Sequence, residues 1–558
     1  MELDYDVIVV GGGFGGVYQL YNLRKLGFSV RLFEAGAKLG GIWYWNCYPG
    51  ARVDTEVPVY QLPEAELFED FKWQQKYVRA TPRHVNVKLT ASIRYPGRDA
   101  LREYFEHMDK VWGLSKDISY NSRVTACEWD NDKLRWNVKI AQMQLNGPTE
   151  IERHSKSIIV CTGFASRPYF PPYNGIEKYK GMMYHTSAWP QENISMKDKR
   201  VAVIGTGASG VQVIQTIATE VKQLTVYQRT PNYALPMGNN ELPAERLKYY
   251  KENYPELMGK MNTTFAGFLY DFNPGECMKA TPEEREALFE ELYTKGGLHF
   301  WLGTYADVLK NKEANAMAYE FWKKKTHARI KDKKKAEILA PEVPPHPYGT
   351  KRVSLEQNYF EAFNDEKVDV VPVKDNPISN FTSDGIITAD GEERKFDLVV
   401  LATGFDAITG GVTQINIRGE DGMPIKERWS EGTRTYLGMA SRNYPNMFII
   451  YGPQAPTAFV TGGLNAKMQG HWVGNCLAYM RDKGISKIQP TADAEETWRS
   501  HCEEVGKMGL FSETESWYFG NNIPGKPKEA LNYMGGNQAY KSWLRDSEEN
   551  DYKGFEYQ

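Results

Sequence analysis

Short, unbroken apolar runs that stop at glycine set the rhythm of this chain. Val7-Ile8-Val9-Val10 is one such run. It meets Gly11-Gly12-Gly13-Phe14-Gly15-Gly16, after which a helical pattern leads to a second run, Val30 to Phe33. Apolar runs of this length, bounded by turn signals, read as strands buried on both faces. The same order returns at Val201 to Ile204, Gly205-Thr206-Gly207, a helical stretch, and Leu224 to Tyr227. Two more strands are predicted by Ile158-Ile159-Val160, ending in Cys161-Thr162-Gly163, and by Leu398 to Leu401, ending in Ala402-Thr403-Gly404-Phe405. Between about 240 and 345 the pattern turns polar, rich in Glu and Lys, and helical. Thr281-Pro282-Glu283-Glu284 offers a cap, a proline at the first helical position and an acid at the third.

The glycine spacing turns two of these units into nucleotide candidates. In Gly11-x-Gly13-x-x-Gly16 and Gly205-x-Gly207-x-x-Gly210, the first glycine permits the tight turn and the second lets backbone approach a pyrophosphate. The third lets helix and strand pack closely. The following helix offers free N–H groups and a positive dipole to phosphates. The fingerprints carry Phe14 in one unit and Thr206 and Ser209 in the other. Glu34 ends the second strand of the first unit, where a carboxylate accepts from ribose hydroxyls. Arg229 stands at the matching place in the second unit. An acid there repels a 2′-phosphate and an arginine binds it. The first unit is therefore expected to hold an unphosphorylated dinucleotide and the second NADP. The fold class is α/β, with two Rossmann-like dinucleotide-binding domains and a helical insertion. The expected boundaries are 1–165 for the first domain, 166–394 for the second with its insertion at about 240–345, and 395–558 for the return to the first.

Composition narrows the class without naming the chemistry. The 558 residues are 41% hydrophobic and 25% charged, with net charge −3, a globular mix with no field to gather nucleic acid or an anionic membrane. Neither a cleavable leader nor an apolar run of about 18 residues is found. No pair among Cys47, Cys127, Cys161, Cys277, Cys476 and Cys502 makes a C-x-x-C, so no dithiol redox centre or zinc site is signalled. A cytoplasmic protein without a metal, monomeric or weakly homo-oligomeric, is expected. The lysines at 323–325, 331 and 333–335 read as a solvated helix face.

Two further motifs carry a resemblance. Tyr179-Lys180-Gly181-Met182-Met183-Tyr184-His185-Thr186-Ser187-Ala188-Trp189-Pro190 resembles the Baeyer–Villiger monooxygenase signature F-x-G-x-x-x-H-x-x-x-W-[PD], with Tyr179 in place of Phe. Gly40-Gly41-Ile42-Trp43 through Tyr48-Pro49-Gly50 to Asp54 is similar to the same family's G-G-x-W-x-x-x-x-Y-P-G-x-x-x-D. The resemblance spans nearly the whole chain. It implies FAD in the first domain and NADPH in the second. NADPH reduces FAD, O2 gives a flavin peroxide, and a ketone becomes an ester or lactone.

The resemblance also implies roles. Arg352 is the catalytic arginine, stabilising the anionic oxidant and the oxyanion that follows attack, and Asp54 holds it. His185 couples NADP position to catalysis from the linker. Trp517, in Trp517-Tyr518-Phe519-Gly520-Asn521-Asn522-Ile523-Pro524-Gly525-Lys526, closes over cofactor and substrate. Lys351 and Thr230 join Arg229 around the 2′-phosphate, while Gly41, Trp43, Asp54 and Tyr60 belong with the flavin. Tyr451 to Phe459 are expected near the flavin, lining the substrate pocket. The alternative is a flavin monooxygenase oxidising nitrogen or sulfur. It shares every nucleotide feature and differs at Trp189-Pro190 and Arg352.

Overall fold

A computed structural model of the protein describes residues 3–69, 71–80, 86–92, 94–144 and 147–558. Among these, one sheet has eight strands and another five. The first is built around Tyr5–Val10, which pairs in parallel with Val30–Phe33 on one side and with the end of Gly147–Val160 on the other. Met447–Ile449 and Ile118–Ser119 extend the parallel region at its two edges. An antiparallel meander, Ser122–Asp130, Arg135–Gln144 and Gly147–Val160, continues the sheet beyond what the apolar runs predict. Val7, Ile8 and Val9 are at most 1% exposed, as a strand covered on both faces requires.

The five-stranded sheet is all parallel, in the order Val368–Pro372, Gln223–Gln228, Arg200–Ile204, Leu398–Leu401 and Met182–His185. The strand Leu398–Leu401 thus lies inside the second sheet, beyond the boundary expected at 394, and the chain returns to the first sheet only after it. The apolar run marked a buried strand correctly, but burial on both faces is the same in either sheet and could not say which one it joins.

The two crossings run side by side. Tyr169 N–H donates to Gly404 O at 3.0 Å, Thr403 Oγ1 donates to Tyr169 O at 2.6 Å, and Pro168 bridges Phe405 antiparallel. The linkers therefore form one ribbon between the sheets.

The polar stretch folds as helices, among them Ala244–Glu252, Tyr254–Thr263, Pro282–Lys295, Lys312–His327 and Lys333–Leu339. Thr281 and Glu284 close a reciprocal capping box. The first part of the lysine run meets acids, Lys324 pairing with Glu286 and Lys325 with Glu290, while Lys335 donates to Phe363 O and Val368 O. Lys323 departs from the expected solvated face. It is only 8% exposed, with its ammonium between Glu320 and Glu342. Among the described residues no helix is long and apolar enough to cross a membrane.

The third glycine of each fingerprint is fixed by contact. A Cβ on Gly16 would lie 1.8 Å from Gly11 O, and one on Gly210 would lie 2.2 Å from Gly205 O. Such overpacking costs about 1–3 kcal/mol or more. Gly210→Ala should lower the thermal unfolding midpoint, read by circular dichroism, while Gly259→Ala, inside the helix Tyr254–Thr263 where a Cβ meets nothing within 4 Å, should keep or slightly raise it, since alanine suits a helix interior better than glycine.

Candidate active site

In the first fingerprint Gly11 sits at φ +103°, and a Cβ there would meet Cys161 O at 2.7 Å. The helix Phe14–Lys25 begins at Gly13 with no side chain capping it, which leaves its first N–H groups for an anion. Gly41 closes on this turn, since a Cβ on it would lie 2.9 Å from Gly13 Cα. Glu34 is buried, and its carboxylate accepts from Gly12 N–H and Gly36 N–H, both at 2.6 Å. Burial pushes this carboxyl up, and the two backbone donors only partly offset it. Trp43 Nε1 donates to the Tyr60 hydroxyl at 3.0 Å, and Phe14 lies edge-on to Tyr60.

The second fingerprint repeats the arrangement. Helix Ala208–Ile217 starts at Gly207, again without a side-chain cap, and a Cβ on Gly207 would meet nothing within 4 Å. Thr206 Oγ1 donates to Thr230 O at 2.9 Å, tying the turn to the segment that carries Arg229. Neither Arg229 nor Lys351 makes an ion pair with a carboxylate among the described residues. Burial, and then the charge of Arg229, bring the Lys351 ammonium down to about 8, against a small opposing pull from Glu515. The donor sets fit the expected groups: a carboxylate and an open helix end for a dinucleotide in the first unit, and two cations short of an anion for a 2′-phosphate in the second.

The second motif ties the two cradles together. Tyr48 OH donates to Gln212 Oε1 at 2.9 Å, and Gln212 Nε2 donates to Arg52 O at 2.9 Å. Gly50 faces the same helix, where a Cβ would collide with Thr216. Asp54 follows, and its Oδ2 accepts from Arg352 Nε at 2.8 Å. Arg352 Nη1 donates to Ala458 O at 3.1 Å. Burial pushes the Asp54 carboxyl up, but the charge and hydrogen bond of Arg352 more than reverse this and hold it below the usual range. Arg352 is raised in turn, since Asp54 outweighs its desolvation. The pair keeps 28% and 27% of its side-chain surface open, enough to meet a ligand.

The approach to Arg352 is buttressed by the insertion. Gly349, at φ +74°, packs under Trp301, where a Cβ would lie 2.8 Å from the ring, and Trp301 Nε1 donates to Gly349 O at 3.0 Å. Tyr451 and Tyr518 are close enough to feel the charges of both Arg352 and Asp54.

His185 stands apart from this pair, at the end of strand Met182–His185 opposite Leu401. Its Nδ1 accepts from Ser187 N–H at 3.1 Å, and its ring lies 4.9 Å from Phe170 and 6.1 Å from Phe405. Burial lowers it to about 4, so the ring is neutral near pH 7. Tyr179, the departure from Phe, uses its extra hydroxyl to donate to Phe396 O at 3.0 Å. Trp189 is buried core, 5% exposed. Trp517 stacks on Phe164 at 5.5 Å and 12°, in a cluster that also holds Phe405 and Leu531.

A family model described as pyridine nucleotide-disulphide oxidoreductase matches residues 5–263. Cyclopentanone 1,2-monooxygenase of Comamonas sp. is 44% identical over 550 residues, 99% of this chain and 95% of that protein. A Baeyer–Villiger monooxygenase of Pseudooceanicola batsensis is 33% identical over 98% of this chain and 95% of its own. The chain belongs to the Baeyer–Villiger monooxygenases. The solved structure of OTEMO in complex with FAD and NADP superimposes at TM-score 0.92 and 32% identity, covering 100% of both chains. The six cysteines are buried and free, so what this monooxygenase shares with the disulphide oxidoreductases is the nucleotide-binding plan.

Phe164 stacks on Trp517, and Asp406 pairs with Lys526 at the far side of the Trp517 segment; none of the three was assigned a role from the sequence. Asp406 directly follows a strand-end motif and Lys526 closes a Pro-Gly turn, but only the fold pairs them.

The Lys351 position generates a pH test. In the free protein its ammonium is held down near 8, and a bound phosphate favours the charged form and raises it. NADPH affinity should therefore be full below pH 8 and fall as pH rises through 8, whereas NADH affinity should not. Isothermal titration at pH 7 and 9 checks this, and parallel behaviour of the two cofactors would place the phosphate elsewhere.

Proposed function

We propose that this chain converts ketones to esters or lactones, taking one oxygen atom from O2 and the electrons from NADPH through FAD, with water as the other product. The observation that carries the reading is the Arg352–Asp54 pair, about a quarter open at the junction of two nucleotide cradles. FAD and NADPH, when bound, supply the electrons that activate O2; the chain itself binds, aims and shelters.

Gly11, Gly13 and Gly16 with the helix end at Phe14 hold the FAD pyrophosphate, Glu34 its ribose, and Gly41, Trp43 and Tyr60 the neighbouring ring system. Gly205, Thr206, Gly207, Ser209 and Gly210 hold NADP, with Arg229, Thr230 and Lys351 on its 2′-phosphate. Arg352 stabilises the negative charge that gathers on the ketone oxygen as the carbonyl is attacked. Asp54 fixes its direction and keeps it charged. His185, neutral and packed on Phe405, transmits NADP position to the linker. Trp517 closes the site against water, which protects a reactive oxidant from unproductive decay. Cyclic ketones are the first substrates to try, because the 44% identical relative is named for cyclopentanone. The buried free thiols support a reducing, cytoplasmic setting.

The test is product analysis by gas chromatography and mass spectrometry with NADPH and a panel of cyclic ketones, linear ketones and a thioether. Ketone products one oxygen heavier are expected. Sulfoxide alone, with every ketone untouched, would replace this reading by a heteroatom monooxygenase. A fixed cation at about 4 Å, with an effective dielectric of about 20, contributes roughly 4 kcal/mol, or about three orders of magnitude in rate. Arg352→Ala should therefore lose ester formation by about a thousandfold while NADPH still bleaches the flavin. Ester formation near the wild-type rate would remove the assignment.

A further inference from the structure

The segment around Trp517 is fastened at both ends and at two residues between. At its start Thr350 donates to Pro347 O, so Thr514 Oγ1 donates to Thr350 Oγ1, at 2.6 Å. At its far end the Glu529 carboxylate accepts from Thr433 N–H and Oγ1, both at 2.8 Å. Between them Lys526 Nζ is ion-paired with Asp406 and donates to Thr409 Oγ1 at 2.7 Å, while Asn522 Nδ2 donates to Phe405 O at 3.0 Å. Phe405, Asp406 and Thr409 all belong to the returning linker between the sheets. The polar contacts of the middle of the segment thus go to the linker, beside the packing of Tyr518 on Phe459.

Asp406 is also where the two linkers join. Its N–H donates to Arg167 O at 2.9 Å, and its carboxylate has Arg167 Nη1 as a second cation at 3.4 Å. The carboxylate is 14% exposed, and a carboxylate so enclosed needs a cation. Arg167 meets that need when Lys526 leaves, so release strands no charge. The departing group is a lysine, a strongly hydrated ammonium on a flexible stem, suited to a contact that breaks and re-forms.

We propose that Lys526 and Asp406 are positioning residues that latch the Trp517 segment closed onto the interdomain linkers. This rests on the reading of Trp517 as the closing residue, and the test separates the two claims. Full-length holoenzyme carrying Lys526→Gln or Asp406→Asn is digested with chymotrypsin, which cuts after Trp517, Tyr518 and Phe519 once the segment opens. Cleavage there should be about tenfold faster than in the wild type, since cleavage tracks the open population, and Lys526→Arg should restore protection. Flavin bleaching by NADPH should stay at the wild-type rate, and a large fall would overturn the proposal by making these residues part of cofactor binding. Unchanged cleavage in Lys526→Gln, whose side chain is the more exposed of the two, would overturn it even if Asp406→Asn fails to fold. Faster cleavage with more hydrogen peroxide per NADPH supports latch and closing role together. Faster cleavage with unchanged peroxide supports the latch and removes the sheltering role of Trp517.

Discussion

A guanidinium that is to attract negative charge during a reaction, the role proposed for Arg352, has to be kept ionised, aimed and only partly wet, and in this protein one carboxylate meets those demands. Asp54 binds Nε of Arg352 from the side, Ala458 O takes one terminal N–H, and about a quarter of the pair stays open. Desolvation alone would weaken both charges. Their mutual attraction reverses it, which is why the carboxyl is held low and the guanidinium high. The surroundings can be understood from this pair outward. Gly349 and Trp301 set the direction from which Arg352 arrives, and the motif ending at Asp54 is fixed against the second nucleotide helix through Tyr48 and Gln212.

Much of the fold could be seen in the chain because burial on both faces writes itself as an apolar run. Val7 to Val10 and Val201 to Ile204 became parallel strands for that reason, and Thr281 became a helix cap because its geometry is local. What the run could not specify was partnership. Leu398 to Leu401 joins the second sheet, and the antiparallel meander from Ser122 to Val160 lacks the apolar run of a doubly covered strand, since its first strand alternates buried and exposed positions around a bulge at Val124–Ala126. Lys323 was misjudged because charge type suggests a wet face, whereas the fold packs its stem into the interior and leaves only its ammonium to Glu320 and Glu342.

The site divides in the same way. The fingerprints are local and were visible as spacing. Arg352 and Asp54 lie far apart in the chain, and nothing in their immediate neighbours distinguishes a paired arginine from a surface one; only the resemblance singled them out. His185 depends on Phe170 and Phe405, both on linkers whose contact is set by the two crossings.

Two repeated fingerprints suggest a molecule assembled from exchangeable parts, and the stretch from Tyr48 to Arg52 argues against that. It belongs by sequence to the first unit, yet its hydroxyl, its backbone and the bare face of Gly50 are shaped to Gln212 and Thr216 on the helix of the second. A hybrid that grafts the second unit from another protein would import a foreign helix surface beneath this stretch and displace Asp54 with it. The workable junctions in such a graft follow this contact, so residues 40–54 would have to travel with the helix they touch.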